Sequence, residues 1–243
     1  NPALFWDMAD PYHYARFERD GEGDILLVGG EDHRTGQDDP EEDHYAELER
    51  WCRERLELRG KTVFRWSGQV LEPHDGLAFI GRNPADEDNV FIVTGDSGHG
   101  LTHGTIAGML LRDLILGREN PYEDLYDPSR VSLRSLNTFF KEAVSSTAPY
   151  SDWISPGDVG SIHEIPTGEG AVMRHGLQKL AVYKDPQGRV HMCSAVCPHL
   201  NGIVRWNSVE KTWDCPCHGS RFEATGKVIN GPAPTGLREV VDT

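Results

Sequence analysis

Two short motifs near the carboxy-terminal end of the sequence contain the residues best suited to chemistry. Cys197 and His199 form a Cys-x-His motif, and Cys215 and His218 form a Cys-x-x-His motif further along the chain. Both motifs lie among glycines and prolines, which mark loops, so two loops can approach each other and present four donors to one centre. Two thiolates and two neutral imidazoles suit a [2Fe–2S] cluster in which sulfur holds one iron and nitrogen the other. A structural zinc ion is the alternative, because two cysteines and two histidines also suit tetrahedral zinc.

The paired motifs resemble those of the Rieske family, and the resemblance covers about residues 153–243. It implies that Cys197 and Cys215 hold one iron of the cluster and that His199 and His218 hold the other. Because two neutral imidazoles replace two anionic thiolates, the reduction potential of such a cluster is raised, to roughly −150 to +300 mV.

Further positions refine this resemblance. Residues 231–234, Gly-Pro-Ala-Pro, match the proline loop that covers the cluster. The respiratory members carry a disulfide between the two cluster loops, whereas here Gly202 stands opposite Cys217, which implies an unpaired thiol. Phe222 stands where high-potential members place a tyrosine hydroxyl near a ligand sulfur, while Ser220 is retained. We therefore expect a potential in the lower part of the Rieske range.

A glycine-rich run over residues 94–104 follows a predicted strand and precedes a predicted helix. Its spacing alone is compatible with a dinucleotide-binding turn or with a simple tight connection. Longer strings resemble the carboxy-terminal half of the FAD-dependent oxidoreductases similar to D-amino-acid oxidase, over about residues 3–130. These strings are Val-Gly-Gly-Glu-Asp-His at 28–33, Trp-Ser-Gly-Gln at 66–69, Asp-Gly-Leu-Ala-Phe-Ile-Gly at 75–81, and the glycine-rich run itself.

The second resemblance implies a flavin-contact turn. Gly95, Gly98, Gly100, Leu101 and Thr102 match the positions that lie against FAD, where the amides at a helix amino terminus stabilise negative charge on reduced flavin. Members of this family oxidise C–N bonds of amines and amino acids by hydride transfer to flavin, and a subset carries a carboxy-terminal Rieske domain.

Two absences shape what we expect of the substrate and of the intact protein. No Gly-x-Gly-x-x-Gly motif precedes the region of resemblance, so we expect an amino-terminal FAD-binding half as a missing partner and this chain as a carboxy-terminal fragment. Residues 69–72 contain no arginine where some amino-acid oxidases bind the substrate carboxylate. The substrate is therefore expected to be a small amine-like molecule of undefined identity.

Composition limits the remaining partners. The net charge of −15 argues against a nucleic-acid partner, since phosphate binding needs a basic surface. The sequence has no apolar stretch long enough to cross a membrane and no secretory leader pattern. Five cysteines, four of them close to histidines, suit a metal site in a reducing compartment, so we expect a cytoplasmic protein.

The predicted fold class is α+β, with two domains at residues 1–150 and 151–243. The first domain is a partial flavoprotein region with an antiparallel sheet and helices, and the second is an all-β Rieske domain. The hydrophobic patterns predict strands at 12–17, 24–28, 61–70, 77–80 and 89–94, and helices at 44–58, 105–116 and 132–144.

Two functions follow from these features. In the first, substrate reduces FAD in the intact oxidoreductase, and electrons pass singly through the cluster to a redox partner. In the alternative, the protein is a non-enzymatic Rieske-type electron carrier, and residues 1–150 serve only as a docking domain.

Overall fold

The structure is a computed structural model that describes residues 4–21, 23–37, 43–56, 58, 60–84, 86–130 and 148–240. The chain divides into two compact units, Asn1–Trp66 with Ser146–Thr243, and Ser67–Ser145. Helices and antiparallel sheets occur together, which confirms the α+β class. The predicted domain boundary at residue 150 stays a prediction, because the first unit draws residues from both sides of it.

The first unit opens with a three-stranded antiparallel sheet in the order β1-β2-β3. The strands are β1 (Leu4–Trp6), β2 (Tyr14–Asp20) and β3 (Gly23–Gly29). Ala15 lies at the centre of the sheet, opposite Phe5 on one side and Val28 on the other, and it is fully buried. The predicted hairpin at 12–17 and 24–28 is confirmed.

Helix α1 (His44–Arg55) contacts β3 and buries Cys52, as the spacing of its apolar residues predicts. Its amino terminus is capped by Asp43, whose carboxylate accepts a hydrogen bond from the Ala46 amide at 3.0 Å. The prediction that the helix continues to residue 58 is wrong. Leu56 has an extended backbone with φ of −121°, so the helix ends at Arg55.

The carboxy-terminal part of the first unit contains two antiparallel sheets, with strand orders β6-β7-β8 and β12-β11-β10-β9. The strands are β6 (Glu169–His175), β7 (Gln178–Lys184), β8 (Val190–Ser194), β9 (Arg205–Asn207), β10 (Thr212–Asp214), β11 (Arg221–Glu223) and β12 (Val228–Asn230). Short 3-10 helices lie at Ala148–Trp153 and Ile162–Glu164.

The core of this part forms around two aromatic residues. Trp213 and Phe222 face each other across β10 and β11, and both are fully buried. Burying a large apolar side chain stabilises a fold by about 1.5–3 kcal/mol. Cys197 and Cys215 belong to the same hydrophobic cluster, so the loops that carry them are anchored in the core.

The second unit pairs β4 (Phe79–Arg82) with β5 (Phe91–Thr94) and packs helix α2 (Gly100–Ile115) and helix α3 (Glu123–Tyr126) against β4. Ile80 and Leu110 lie at the centre of its core. The guanidinium of Arg130 donates two charge-assisted hydrogen bonds to the Asp75 carboxylate, at 2.8 and 2.9 Å.

Two predicted strands between residues 61 and 80 are corrected. Residues 60–73, all described, form neither strand nor helix, although a strand was predicted at 61–70. Val63, Phe64 and Trp66 expose more than half of their surface, so the β-forming side chains have no sheet to pack on. The predicted strand at 77–80 lies two residues further on, as β4.

Helix α2 begins at Gly100 instead of at residue 105, because the His103 amide already bonds the His99 carbonyl at 2.9 Å. The helix ends at Ile115, one residue before the predicted end, and Gly117 follows it with a left-handed φ of 63°. The predicted helix at 132–144 lies outside the described residues. Within the described part of the chain, no helix has both the length and the apolar character that a membrane crossing needs.

Candidate metal centre

The first cysteine–histidine loop, residues 195–204, connects β8 to β9 and is called the first cluster loop below. The Cys197 amide bonds the Gly202 carbonyl at 2.8 Å, and the Asn201 amide bonds the Cys197 carbonyl at 3.0 Å. Asn201 has a left-handed φ of 61°, which turns the chain back towards β9. The loop is therefore a closed turn with Cys197 buried at its base and His199 at its tip.

The second cluster loop, residues 215–220, connects β10 to β11 in the same way. The Cys215 amide bonds the Ser220 carbonyl at 2.8 Å, and the Gly219 amide bonds the Cys215 carbonyl at 2.9 Å. The Ser220 hydroxyl accepts a hydrogen bond from the Ala233 amide at 3.0 Å. This bond joins the predicted proline loop to the second loop.

The two loops bring the predicted ligand sulfurs together. The thiol of Cys215 donates a hydrogen bond to the sulfur of Cys197, which lowers the pKa of Cys197 to about 6. The same bond, together with burial, raises the pKa of Cys215. The His199 amide and the Ser220 hydroxyl also donate to the Cys197 sulfur. The two sulfurs thus lie within hydrogen-bond distance of each other, close enough to bind the same iron.

The two imidazoles also meet. The ring centroids of His199 and His218 lie 4.9 Å apart, with the rings perpendicular. The Nδ1 atom of His199 is buried and has no hydrogen-bond partner among the described residues. Loss of solvent around the ring and the neighbouring His199 lower the pKa of His218. A low pKa favours the neutral imidazole, which is the form that binds metals.

These donors fit a [2Fe–2S] cluster better than a single zinc ion. A [2Fe–2S] cluster of this type takes two thiolates on one iron and two imidazoles on the other. The donors lie as one sulfur pair and one imidazole pair. An unpartnered buried Nδ1 beside them is costly without a ligand, and coordination would satisfy it.

A buried ion-pair network supports the second loop. The guanidinium of Arg221 donates to Asp214 at 3.1 Å and to Glu210 at 2.8 Å. Burial lowers the pKa of Arg221, but the carboxylates of Asp214 and Glu210 outweigh burial and raise it. The charged network fixes both strands from which the loop emerges.

Residues far away in the sequence also contact the second loop. The side-chain amide of Gln37 donates to the Pro216 carbonyl at 2.7 Å. Gly36, with a left-handed φ of 72°, lies so close that a Cβ atom there would come within 3.0 Å of the Pro216 nitrogen. Sequence reasoning missed this contact, because it joins positions 179 residues apart and no local pattern marks it.

The positions that depart from the Rieske pattern are also defined. A Cβ atom at Gly202 would lie 2.5 Å from the sulfur of Cys217, so the two positions face each other as the resemblance implies. All five cysteines lie in the described part of the chain, and none of them forms a disulfide there. Phe222 is fully buried behind the second loop.

The predicted flavin-contact residues lie in the second unit, at the start of α2. Gly95 and Gly98 have left-handed φ values of 71° and 75°. Gly100, Leu101 and Thr102 form the first turn of the helix. The side chain of the N-cap residue His99 makes no capping hydrogen bond to this turn, and Leu101 is 94% exposed. The amides of an uncapped first turn lack intrahelical acceptors and suit an electron-rich ligand edge.

Paired loops with a sulfur pair and an imidazole pair define the class as mixed-ligand iron–sulfur proteins. The family model "FAD dependent oxidoreductase" (DAO) matches residues 1–114, and the model "Rieske [2Fe-2S] domain" matches residues 155–240. The chain belongs to the Rieske [2Fe–2S] protein family, with a DAO-type FAD oxidoreductase region ahead of its Rieske domain. The cofactors that these two regions imply are a [2Fe–2S] cluster and FAD.

Three relatives illustrate the match. "Putative Rieske 2Fe-2S iron-sulfur protein YhfW" of Bacillus subtilis (strain 168) is 33% identical over 220 residues, which cover 89% of this chain and 42% of that protein. The cytochrome b6-f complex iron-sulfur subunit of Prochlorococcus marinus (strain NATL1A) is 30% identical, over 56% of this chain and 71% of the subunit. The structure of the plasma membrane Rieske protein PetC3 from Synechocystis PCC 6803 has a TM-score of 0.28 and 29% identity, over 30% of this chain and 74% of that protein.

Proposed function

We propose that this chain is the electron-transfer part of an FAD-dependent oxidoreductase that oxidises a small amine-like substrate at a C–N bond. Cys197, His199, Cys215 and His218 hold the [2Fe–2S] cluster. The observation that carries the proposal is the meeting of two sulfurs and two imidazoles, one with an unpartnered buried Nδ1. When bound, the cluster supplies a one-electron carrier.

The protein residues around this centre differ in their access to solvent. Cys197 and Cys215 are buried, whereas His218 is exposed and His199 is partly exposed. The imidazole edge is therefore the side that a redox partner reaches. The buried sulfur edge is protected from water and from competing thiols.

The start of α2 serves the flavin in this proposal. The amides of Leu101 and Thr102 would lie against FAD and would stabilise negative charge on it, since the amino terminus of a helix carries a partial positive charge. The intact oxidoreductase supplies further FAD contacts from an amino-terminal half. We place the protein in the cytoplasm, because cysteines that are clustered with histidines suit a metal site in a reducing compartment.

Metal analysis and variants test the ligand assignment. The purified protein should be red-brown and contain about two irons per chain. Cys197→Ser and Cys215→Ser should each remove most of the iron, because a serine hydroxyl is a poorer iron ligand than a thiolate. Cys193→Ser changes a buried cysteine outside the motifs and serves as the matched control. A colourless protein with one zinc ion, or equal iron loss in all three variants, would contradict the assignment.

Anaerobic reduction tests the flavin role. In the intact oxidoreductase, which includes the amino-terminal FAD-binding half, we expect a panel of amines to reduce the cluster at saturating FAD and not after FAD is removed, as followed by electron paramagnetic resonance. The second candidate function, an electron carrier, is favoured by the match to cytochrome b6-f iron–sulfur subunits over 71% of their length. If small redox proteins reduce the cluster and amines do not reduce it at saturating FAD, the result would support the electron-carrier function.

A further inference from the structure

The short helix at Ala148–Trp153 lies just before the region that the Rieske family model matches, and its side chains contact the first cluster loop. The Tyr150 hydroxyl donates to the Leu200 carbonyl at 2.5 Å. The indole nitrogen of Trp153 donates to the Asn201 carbonyl at 2.9 Å. Two successive carbonyl groups of the loop are therefore held by two aromatic side chains.

A third contact secures the exit of the loop. The Asp152 carboxylate accepts two hydrogen bonds from Arg205, at 3.0 and 2.9 Å. Arg205 is the first residue of β9, directly after the loop. The helix at Ala148–Trp153 thus holds the loop at its tip and at its end.

Tyr150 also lies close to the predicted cluster ligands. Its ring packs against the hydrophobic cluster that contains Cys197 and Cys215. Burial and the neighbouring sulfurs, first that of Cys217, raise the pKa of Tyr150. The hydroxyl therefore stays protonated near neutral pH and keeps its role as a donor.

The two carbonyls that are held follow the predicted ligand His199 directly in sequence. The His199 amide donates to the Cys197 sulfur, and the left-handed turn at Asn201 determines where that amide points. Donors to a ligand sulfur stabilise the more negative reduced state of an iron–sulfur cluster and raise its potential. Movement of this loop would therefore change the position of the His199 imidazole and the hydrogen bond from the His199 amide to the Cys197 sulfur.

Building on the proposed function, we propose that Tyr150 and Trp153 are positioning residues for the cluster. They hold the first cluster loop so that the His199 imidazole and amide keep one geometry towards the iron and the Cys197 sulfur. A ligand and a donor that are held in this way give the cluster one defined potential.

Conservative variants test this role. Tyr150→Phe and Trp153→Phe remove one donor each and keep an aromatic ring, and the double variant removes both. We expect near-normal iron content and an unchanged far-ultraviolet circular dichroism spectrum. The midpoint potential should shift downward, most in the double variant, and the electron paramagnetic resonance lines should broaden because His199 adopts several orientations.

Tyr183→Phe is the matched control, since Tyr183 lies on β7 in the same domain and contacts Trp206 instead of the loop. It should leave potential and line shape unchanged. If the double variant does not fold, Asp152→Asn is measured in its place, because it weakens the contact with Arg205 at the end of the loop. The midpoint potential and the line shape are again the quantities measured. A double variant with full iron and an unaltered potential and line shape overturns this inference alone. A parent protein without a [2Fe–2S] signal contradicts the proposed function itself.

Discussion

At the scale of single residues, Phe222 offers the most direct test of how the protein sets its potential. The ring is fully buried next to the second cluster loop and cannot donate a hydrogen bond to a ligand sulfur. Phe222→Tyr should raise the midpoint potential, because a hydroxyl donor stabilises the reduced cluster. Protein-film voltammetry on both forms measures the shift.

The exposed Phe17→Tyr is the control for this change, since it adds the same hydroxyl on the amino-terminal sheet. An unchanged or lowered potential in Phe222→Tyr, with iron content intact, would count against the argument. If the new hydroxyl found no acceptor, the variant would also lose about 1–3 kcal/mol of stability.

At the scale of secondary-structure elements, the strands β10 and β11 depend on the charge of Arg221. Arg221→Met should destabilise the protein by about 3–5 kcal/mol, because it leaves the buried carboxylate of Asp214 without a compensating charge. Urea denaturation at matched iron content measures the loss. Arg189→Met is the comparison, since the Arg189 side chain is 72% exposed and its ion pair with Asp185 should contribute at most about 1 kcal/mol. Similar losses in the two variants would refute this prediction.

The turn between β7 and β8 predicts a pH dependence. Burial raises the pKa of Asp185, but bonds from the Arg189 and Gln187 amides, the His191 ring and the Arg189 side chain outweigh burial and lower it to about 2. A folded-state pKa below the unfolded value of 3.8 means that the carboxylate stabilises the fold above about pH 4. This contribution disappears as the pH falls towards 2.

Asp185→Asn should therefore be less stable than the parent at pH 7, and the difference should shrink between pH 4 and pH 2. Urea unfolding of both proteins at each pH gives this difference, and loss of the cluster in acid affects both alike. Asp88→Asn changes an exposed carboxylate and should show no such trend. A difference that stays constant down to pH 2 would show that Asp185 acts through its shape and not through its charge.

At the scale of the whole molecule, the sequence was most informative where chemistry requires particular residue types. The ligand loops could be placed because few arrangements of cysteine and histidine suit an iron–sulfur centre, and α1 could be placed because its apolar residues recur at helical spacing. The strand at 61–70 was wrong, because β-forming side chains make a strand only where a partner strand exists. The contacts of Tyr150 and Gln37 depend on tertiary packing across 50 and 179 residues, which local patterns do not encode.

The packing of Gly36 and Gln37 against the second loop has an evolutionary consequence. A cofactor domain spreads between proteins by gene fusion most easily when all of its own supports lie within its boundaries. Here residues outside 155–240 contact both cluster loops. If the Rieske domain were replaced by that of a relative, the close packing of Gly36 against the second loop and the hydrogen bonds from Tyr150 and Trp153 to the first loop would be lost. Such a chimera would keep both cluster loops in place only if residues 36, 37, 150 and 153 were refitted to the new domain.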